Sequence, residues 1–273
     1  MTRPSRNLQR LFFWKNVSGR VIPLLALLLL LSACAVVPVQ ENHLGNGARE
    51  WAAYMAYCGE REQDRKPFRL RGSVRFGMEE NMHRATFLLW SNGGLPIRMD
   101  VLAGFNSVVA RILETSDRFV AYSPLEKKAL LYEGNSRIHL NLGKPLPFSP
   151  ADLSLLMQGE FHKVFGPDSG DSWREGENFR FALAGRHVGN ILDLRSDGLP
   201  VKWVRPGDWT LDIAYTEEIP PRPRRFEMSH QDGYRAIVLI KEREYPETVF
   251  SEEQLSLVLP EDTQLVPVRK AAY

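Results

Sequence analysis

Residues 68–78 read FRLRGSVRFGM, in which polar positions alternate with apolar or small ones. Phe68, Leu70, Gly72, Val74, Phe76 and Met78 alternate with Arg69, Arg71, Ser73 and Arg75. A period of two belongs to a strand with one buried and one wet face. Similar segments follow at close spacing: 83–90, 95–102, 107–114, 118–122, 128–132 and 137–141. Asn92-Gly93-Gly94 and Gly134-Asn135 punctuate them. Short strands so close together leave no room for crossover helices, so they predict an antiparallel meander. More strand segments are expected at 179–183, 190–194, 201–204, 209–215, 225–229, 234–242 and 254–259, with a loop over 165–178. The expected fold is mainly β (α+β), one domain of about a dozen antiparallel strands and two short helices. A sheet that wide must curl. Several strands are apolar on both faces (Phe87 and Leu89 against Leu88 and Trp90), so something must cover the second face.

Two helices break the strand pattern. One is expected over Gly47–Cys58, stopped by Gly59. The other begins at Ser149-Pro150-Ala151-Asp152, a capping box with proline at the first helical position. Leu153, Leu156 and Met157 then share one face, and Gly159 ends the helix. This second helix is a candidate lid with its apolar stripe turned inward.

The N-terminus reads as a targeting segment. Val21–Leu31 is an eleven-residue apolar run interrupted only by Pro23, and five basic residues and no acidic one precede it. It falls short of the roughly 20 residues that span a bilayer. Basic n-region, short apolar h-region and small residues describe a secretory signal peptide. Leu31-Ser32-Ala33-Cys34 fits a bacterial lipobox. Resemblance to bacterial lipoproteins implies cleavage before Cys34 and a diacylglyceryl group on its thiol. Two or three acyl chains anchor stably where one does not. The expected organisation is signal peptide 1–33, lipidated tether 34–46, folded domain 47–260 and tail 261–273.

The chain carries 35 basic and 33 acidic residues, and without the signal's five basic ones 30 face 33. Nothing in that balance argues for nucleic acid. Cys58 is the only cysteine besides Cys34, which rules out a disulfide framework. It follows Ala48, Trp51 and Met55 at helical spacing, so a buried apolar role is expected. The six histidines (43, 83, 139, 162, 187 and 230) form no metal-binding spacing. His83 and His139 alternate with apolar neighbours and are expected on the outer face. No nucleophile elbow, phosphate loop or dinucleotide fingerprint occurs, so no catalytic residue, metal or cofactor is assigned. Between the segments Ile97–Leu102 and Ser107–Ile112 lies Ala103-Gly104-Phe105-Asn106. Gly and Asn suit a tight turn, but Phe does not. Phe105 either folds back over the sheet mouth or touches a membrane or lipid.

Taken in order, these residues resemble the outer-membrane lipoprotein receptor LolB and the wider LolA/LolB group. The match runs through the lipobox, RLRGSVRF, TFLLW, IRMDVLAGFNSVVARI, LPFSPADLSLLMQG and GLPVKW. It is collinear from about 48 to 215, with a C-terminal extension past about 245 beyond the family's usual length. The resemblance implies an eleven-stranded curled antiparallel half-barrel with a helical lid over an acyl-binding cavity. Its lining would be Leu70, Val74, Phe76, Phe87, Leu89, Met99, Val101, Leu153, Leu156 and Met157. It implies that Gly104 and Phe105 form an insertion loop, with Phe for the family's Leu and no proline. It implies a monomeric, lipid-anchored protein on the periplasmic face of the outer membrane. Lipoprotein or lipid would be its cargo and a periplasmic LolA-like carrier its donor. The competing expectation, from another class, is an envelope lipoprotein using the same fold as a sensor or structural subunit.

Overall fold

The computed structural model describes residues 47–105 and 107–268. Cys34, the signal and the tether lie outside the described residues. The strands are β1 (Phe68–Met78), β2 (Asn81–Ser91), β3 (Ile97–Ala103), β4 (Ser107–Glu114), β5 (Arg118–Ser123), β6 (Lys128–Glu133) and β7 (Ser169–Glu175). They continue with β8 (Asn178–Leu183), β9 (Ile191–Leu194), β10 (Pro200–Val204), β11 (Trp209–Tyr215), β12 (Pro223–His230), β13 (Arg235–Glu244) and β14 (Gln264–Pro267). All fourteen form one sheet, in the order β14-β6-β5-β4-β3-β2-β1-β13-β12-β11-β10-β9-β8-β7. The sheet curls without closing. Two meanders, β1–β6 and β7–β13, meet where β1 pairs antiparallel with β13. Between them the chain crosses from β6 to the far edge, carrying α2 (Pro150–Gln158) and α3 (His162–Phe165).

In β1 the alternation sets the faces as expected: Leu70 and Val74 are buried, Phe76 is half-buried, and Arg69, Arg71 and Arg75 are exposed. A bulge between Arg71 and Gly72 breaks the register against β13. The main core fills the concave side. There the ring of Phe165 stacks on Trp203 at 5.9 Å, and Phe148 meets the same indole at 5.3 Å. Each fully buried side chain of this size stabilises the fold by about 1.5–3 kcal/mol.

The strand count and both chain ends of the sheet differ from expectation. Residues 165–178 hold β7, although they are rich in Gly, Asp and Glu; as an edge strand it buries little and shows no apolar period. Residues 137–141 form no strand and contribute only the bridge Asn141–Pro145. The C-terminal extension is not a tail. Gln264–Pro267 adds parallel to β6, the one parallel pairing among the described residues. The expected strand at 254–259 is instead the short helix α4 (Glu252–Leu255), begun by a Ser251/Gln254 capping box.

This extension covers the convex face. Leu113, Val120, Tyr122 and Ala129 point away from the concave core, and Leu257 and Leu259 pack on them as a second cluster. Asn92 fastens the strap by exchanging hydrogen bonds with Phe250: its Nδ2 donates to the carbonyl at 3.0 Å, and its Oδ1 accepts from the N–H at 2.8 Å. Trp90 Nε1 donates to the Gln254 carbonyl at 3.0 Å.

The first helix, α1 (Ala48–Gln63), runs past Gly59 to a C-cap at Asp64. A helical glycine costs about 1 kcal/mol. Burial of Tyr54 and Cys58 before it and Arg61 after it overrides that local cost. The β9–β10 turn lies tight against α1. Gly198 has φ +82°, and a Cβ there would fall 2.5 Å from the Tyr54 backbone nitrogen, so only glycine fits.

Candidate functional site

The lid helix α2 is built as its sequence predicts and then fastened at both ends. Ser149 Oγ accepts from the Asp152 N–H at 3.1 Å, Asp152 accepts from the Ser149 N–H at 3.0 Å, and Gly159 caps the end with φ 87°. Glu114, reaching from β4, accepts from the Ala151 N–H at 2.8 Å. Burial raises the Glu114 carboxyl above its ordinary range, and this hydrogen bond opposes the rise. Arg137 pairs with Asp152. At the other end Arg243, on β13, donates to the Met157 carbonyl at 2.8 Å.

Under this helix the concave face encloses a cavity of about 840 Å³, within the usual 300–1,000 Å³ range of ligand pockets. Its walls come from β1–β6, α2 and the segment 138–146. Of the residues expected to line it, Val74, Phe76, Phe87, Met99, Val101, Leu153 and Met157 do so. Leu70, Leu89 and Leu156 do not: they are sealed in the packed core, at most 1% exposed. Inward direction is legible in a period, but the division of inward residues between solid core and cavity depends on what packs opposite.

Two histidines expected outside reach this cavity. His83 and His139 both line it, and His83 lies 5.6 Å from the Phe76 ring. Burial, and then the charge of Arg205, lower His139 below the ordinary imidazole range, favouring its neutral form beside the apolar walls. The alternation of Ile138, Leu140 and Leu142 carried the signal for this wall, but it belongs to a half-buried loop. At the open side the rim is apolar, with Val109 and Leu130 partly exposed.

Gly104 and Phe105 form the tip of the β3–β4 hairpin, just past Ala103, which lines the cavity. Gly104 has φ +55° with open space around it. Phe105 projects fully into solvent, at 104% exposure, and does not plug the sheet mouth. Cys58 is buried against Tyr54, and burial pushes its thiol up to about 12, which keeps it protonated. Among the described residues no three His, Cys, Asp or Glu side chains cluster to hold a metal, and no helix is long and apolar enough to cross a membrane.

The fold, an unclosed and almost wholly antiparallel curled sheet, is similar to that of solved structures. A domain described as an outer membrane lipoprotein-sorting protein from Vibrio parahaemolyticus superposes with a TM-score of 0.50 at 12% identity, over 77% of this chain and 97% of that one. A LolA superfamily protein from Nitrosomonas europaea gives 0.54 at 10% identity, over 75% and 97%. A DUF1329 family protein from Desulfovibrio piger gives 0.51 at 10% identity, over 77% and 96%. No family model matches the sequence, and no curated protein matches it. The fold is therefore LolA-like, and these likenesses do not single out LolB.

Proposed function

We propose that the protein is a lipid-anchored acceptor that takes acyl chains into the cavity beneath α2 and passes lipoproteins, or related lipids, into the outer membrane. The observation that carries this reading is the cavity. A cavity of about 840 Å³ whose walls are mostly apolar, Val74, Phe87, Met99 and Val101 among them, with His83, Arg84 and His139 also reaching it, suits hydrocarbon. The fold it shares with a lipoprotein-sorting domain supports the same direction. The lipobox at Cys34 supplies the anchor in this proposal, and a periplasmic carrier supplies the cargo. Mass spectrometry of lipids retained by the purified chain from Ala35 onward tests it. Acylated species at about one per protein are the expected result, and a chain that emerges free of lipid and takes up none from micelles counts against it.

The anchor has its own test. Cys34→Ser is expected to abolish labelling by radioactive fatty acid and to leave the precursor uncleaved. Undiminished labelling would remove the anchor from the proposal.

Phe105 is the proposed membrane-contacting residue. A fully exposed ring gains nothing on folding, so its use lies outside the protein. Phe105→Glu is expected to change stability by less than about 0.5 kcal/mol. The same variant should lose transfer of cargo to liposomes, while Phe105→Leu keeps it. Wild-type transfer by Phe105→Glu would end this role.

A further inference from the structure

Only one side of α2 meets the apolar cavity. Leu153 and Met157 face that cavity, whereas Ser154, Leu155 and Gln158 line a separate void of about 200 Å³. Its other walls are the last turn of α1 with the residues that follow it, the 93–97 segment, and Arg222 and Tyr245. Six basic side chains line it (Arg61, Arg65, Lys66, Arg137, Lys163 and Arg222) against two acidic ones, Asp64 and Glu160. The two carboxylates are already engaged. Glu160 is held by Arg65 and by Lys163 at 3.0 Å, and Asp64 by Lys66 at 3.2 Å and Arg222 at 3.9 Å. Arg137 pairs with Asp152.

Arg61 is different. It is only 8% exposed, yet no carboxylate among the described residues pairs with it and its Nε has no hydrogen-bond partner. The Tyr57 ring lies 5.2 Å from its guanidinium carbon. The amide nitrogen of Gln158, on the facing helix, is likewise buried without an acceptor, while its Oε1 accepts from Tyr245 at 3.3 Å. Buried cations are normally paired, and buried donors are normally satisfied. Here unsatisfied donors from two helices line one pocket whose walls carry excess positive charge. What they lack is an acceptor-rich anion.

We propose that this pocket binds a phosphate group, with Arg61 and Gln158 as its buried donors and Lys66 and Arg222 supplying further charge. The charge excess favours an anion with several acceptor oxygens, and guanidinium matches phosphate geometry through paired N–H donors. A void of about 200 Å³ holds such a group with a few waters, each filling about 30 Å³. The group can arrive as a free phosphate ester or as the headgroup of an anionic phospholipid. Arg61 and Gln158 do not line the acyl cavity, and of the six basic side chains only Arg137 reaches both.

Calorimetric titration of the full chain with inorganic phosphate tests the site, alongside thermal unfolding in phosphate and in chloride at equal ionic strength. Saturable binding and a phosphate-specific rise in melting temperature are expected. Arg61→Met should weaken binding by about tenfold or more, with Arg61→Lys in between. Gln158→Leu is a milder second variant and should also weaken it. Titration with dihexanoylphosphatidylglycerol then identifies the source. Competition with phosphate that depends on Arg61 marks the headgroup, and phosphate binding without such competition marks a soluble ester. No binding by wild type, or equal binding by folded Arg61→Met, overturns the proposal. Uptake of an apolar fluorophore by Arg61→Met should be unchanged, which separates this site from the cavity.

Discussion

Leu211→Asp should cost at least about 4 kcal/mol, while Asp212→Asn, one residue along the same strand, should stay within about 0.5 kcal/mol. Leu211 is fully buried in β11, opposite Trp203 on one neighbouring strand and Met228 on the other, both also buried. A carboxylate there has no cation opposite it and must either lose its hydration or take a proton. Asp212 points the other way, exposed and 3.2 Å from Lys202, where screening leaves an ion pair little value. Unfolding followed by circular dichroism should show the first variant melting about 10 °C or more below wild type. Equal melting temperatures for the two variants would mean that the faces of β11 are assigned the wrong way round.

The second large effect concerns the cavity. Val101→Trp should weaken uptake of an apolar fluorophore by about tenfold or more, while leaving the chain folded. Val101 lines the void from β3 and is only half-buried, so an indole can occupy space the cavity already provides. Overpacking a filled core commonly costs about 1–3 kcal/mol, and the open volume should hold the cost to the low end. Leu125→Trp, at the exposed β5–β6 turn, is the control and should bind as wild type. Retained uptake by Val101→Trp would place the apolar ligand elsewhere on the molecule.

Several features of this site were legible in the residues alone. The direction of Val74 and Phe76 against Arg75 follows from a pleat in which neighbours must point oppositely. Ser149, Asp152 and Gly159 fix the ends of α2 through groups within their own turn of chain. Phe105 stood out because a turn between Gly and Asn gives a phenyl ring no core to enter.

Other features needed the assembled fold. Leu70 and Leu89 belong to the same inward set as Val74 and Phe87. Which of them meet solid packing and which face open volume depends on where α2 and the 138–146 loop come to rest. His83 and His139 joined the cavity wall for the same reason.

By itself the sequence determined the faces of β1, the caps of α2 and the place of the β3–β4 turn, because each depends on neighbours within a few residues along the chain. The tertiary structure decided the rest. Burial along α1 carried it past Gly59. An edge of the sheet recruited Gln264–Pro267, and the strap from Phe250 to Leu259 covered a convex face that alternation had left apolar. The juxtaposition of Arg61 with Gln158 brings together residues 97 positions apart, and the cost of leaving both unsatisfied appears only once folding has taken them out of water.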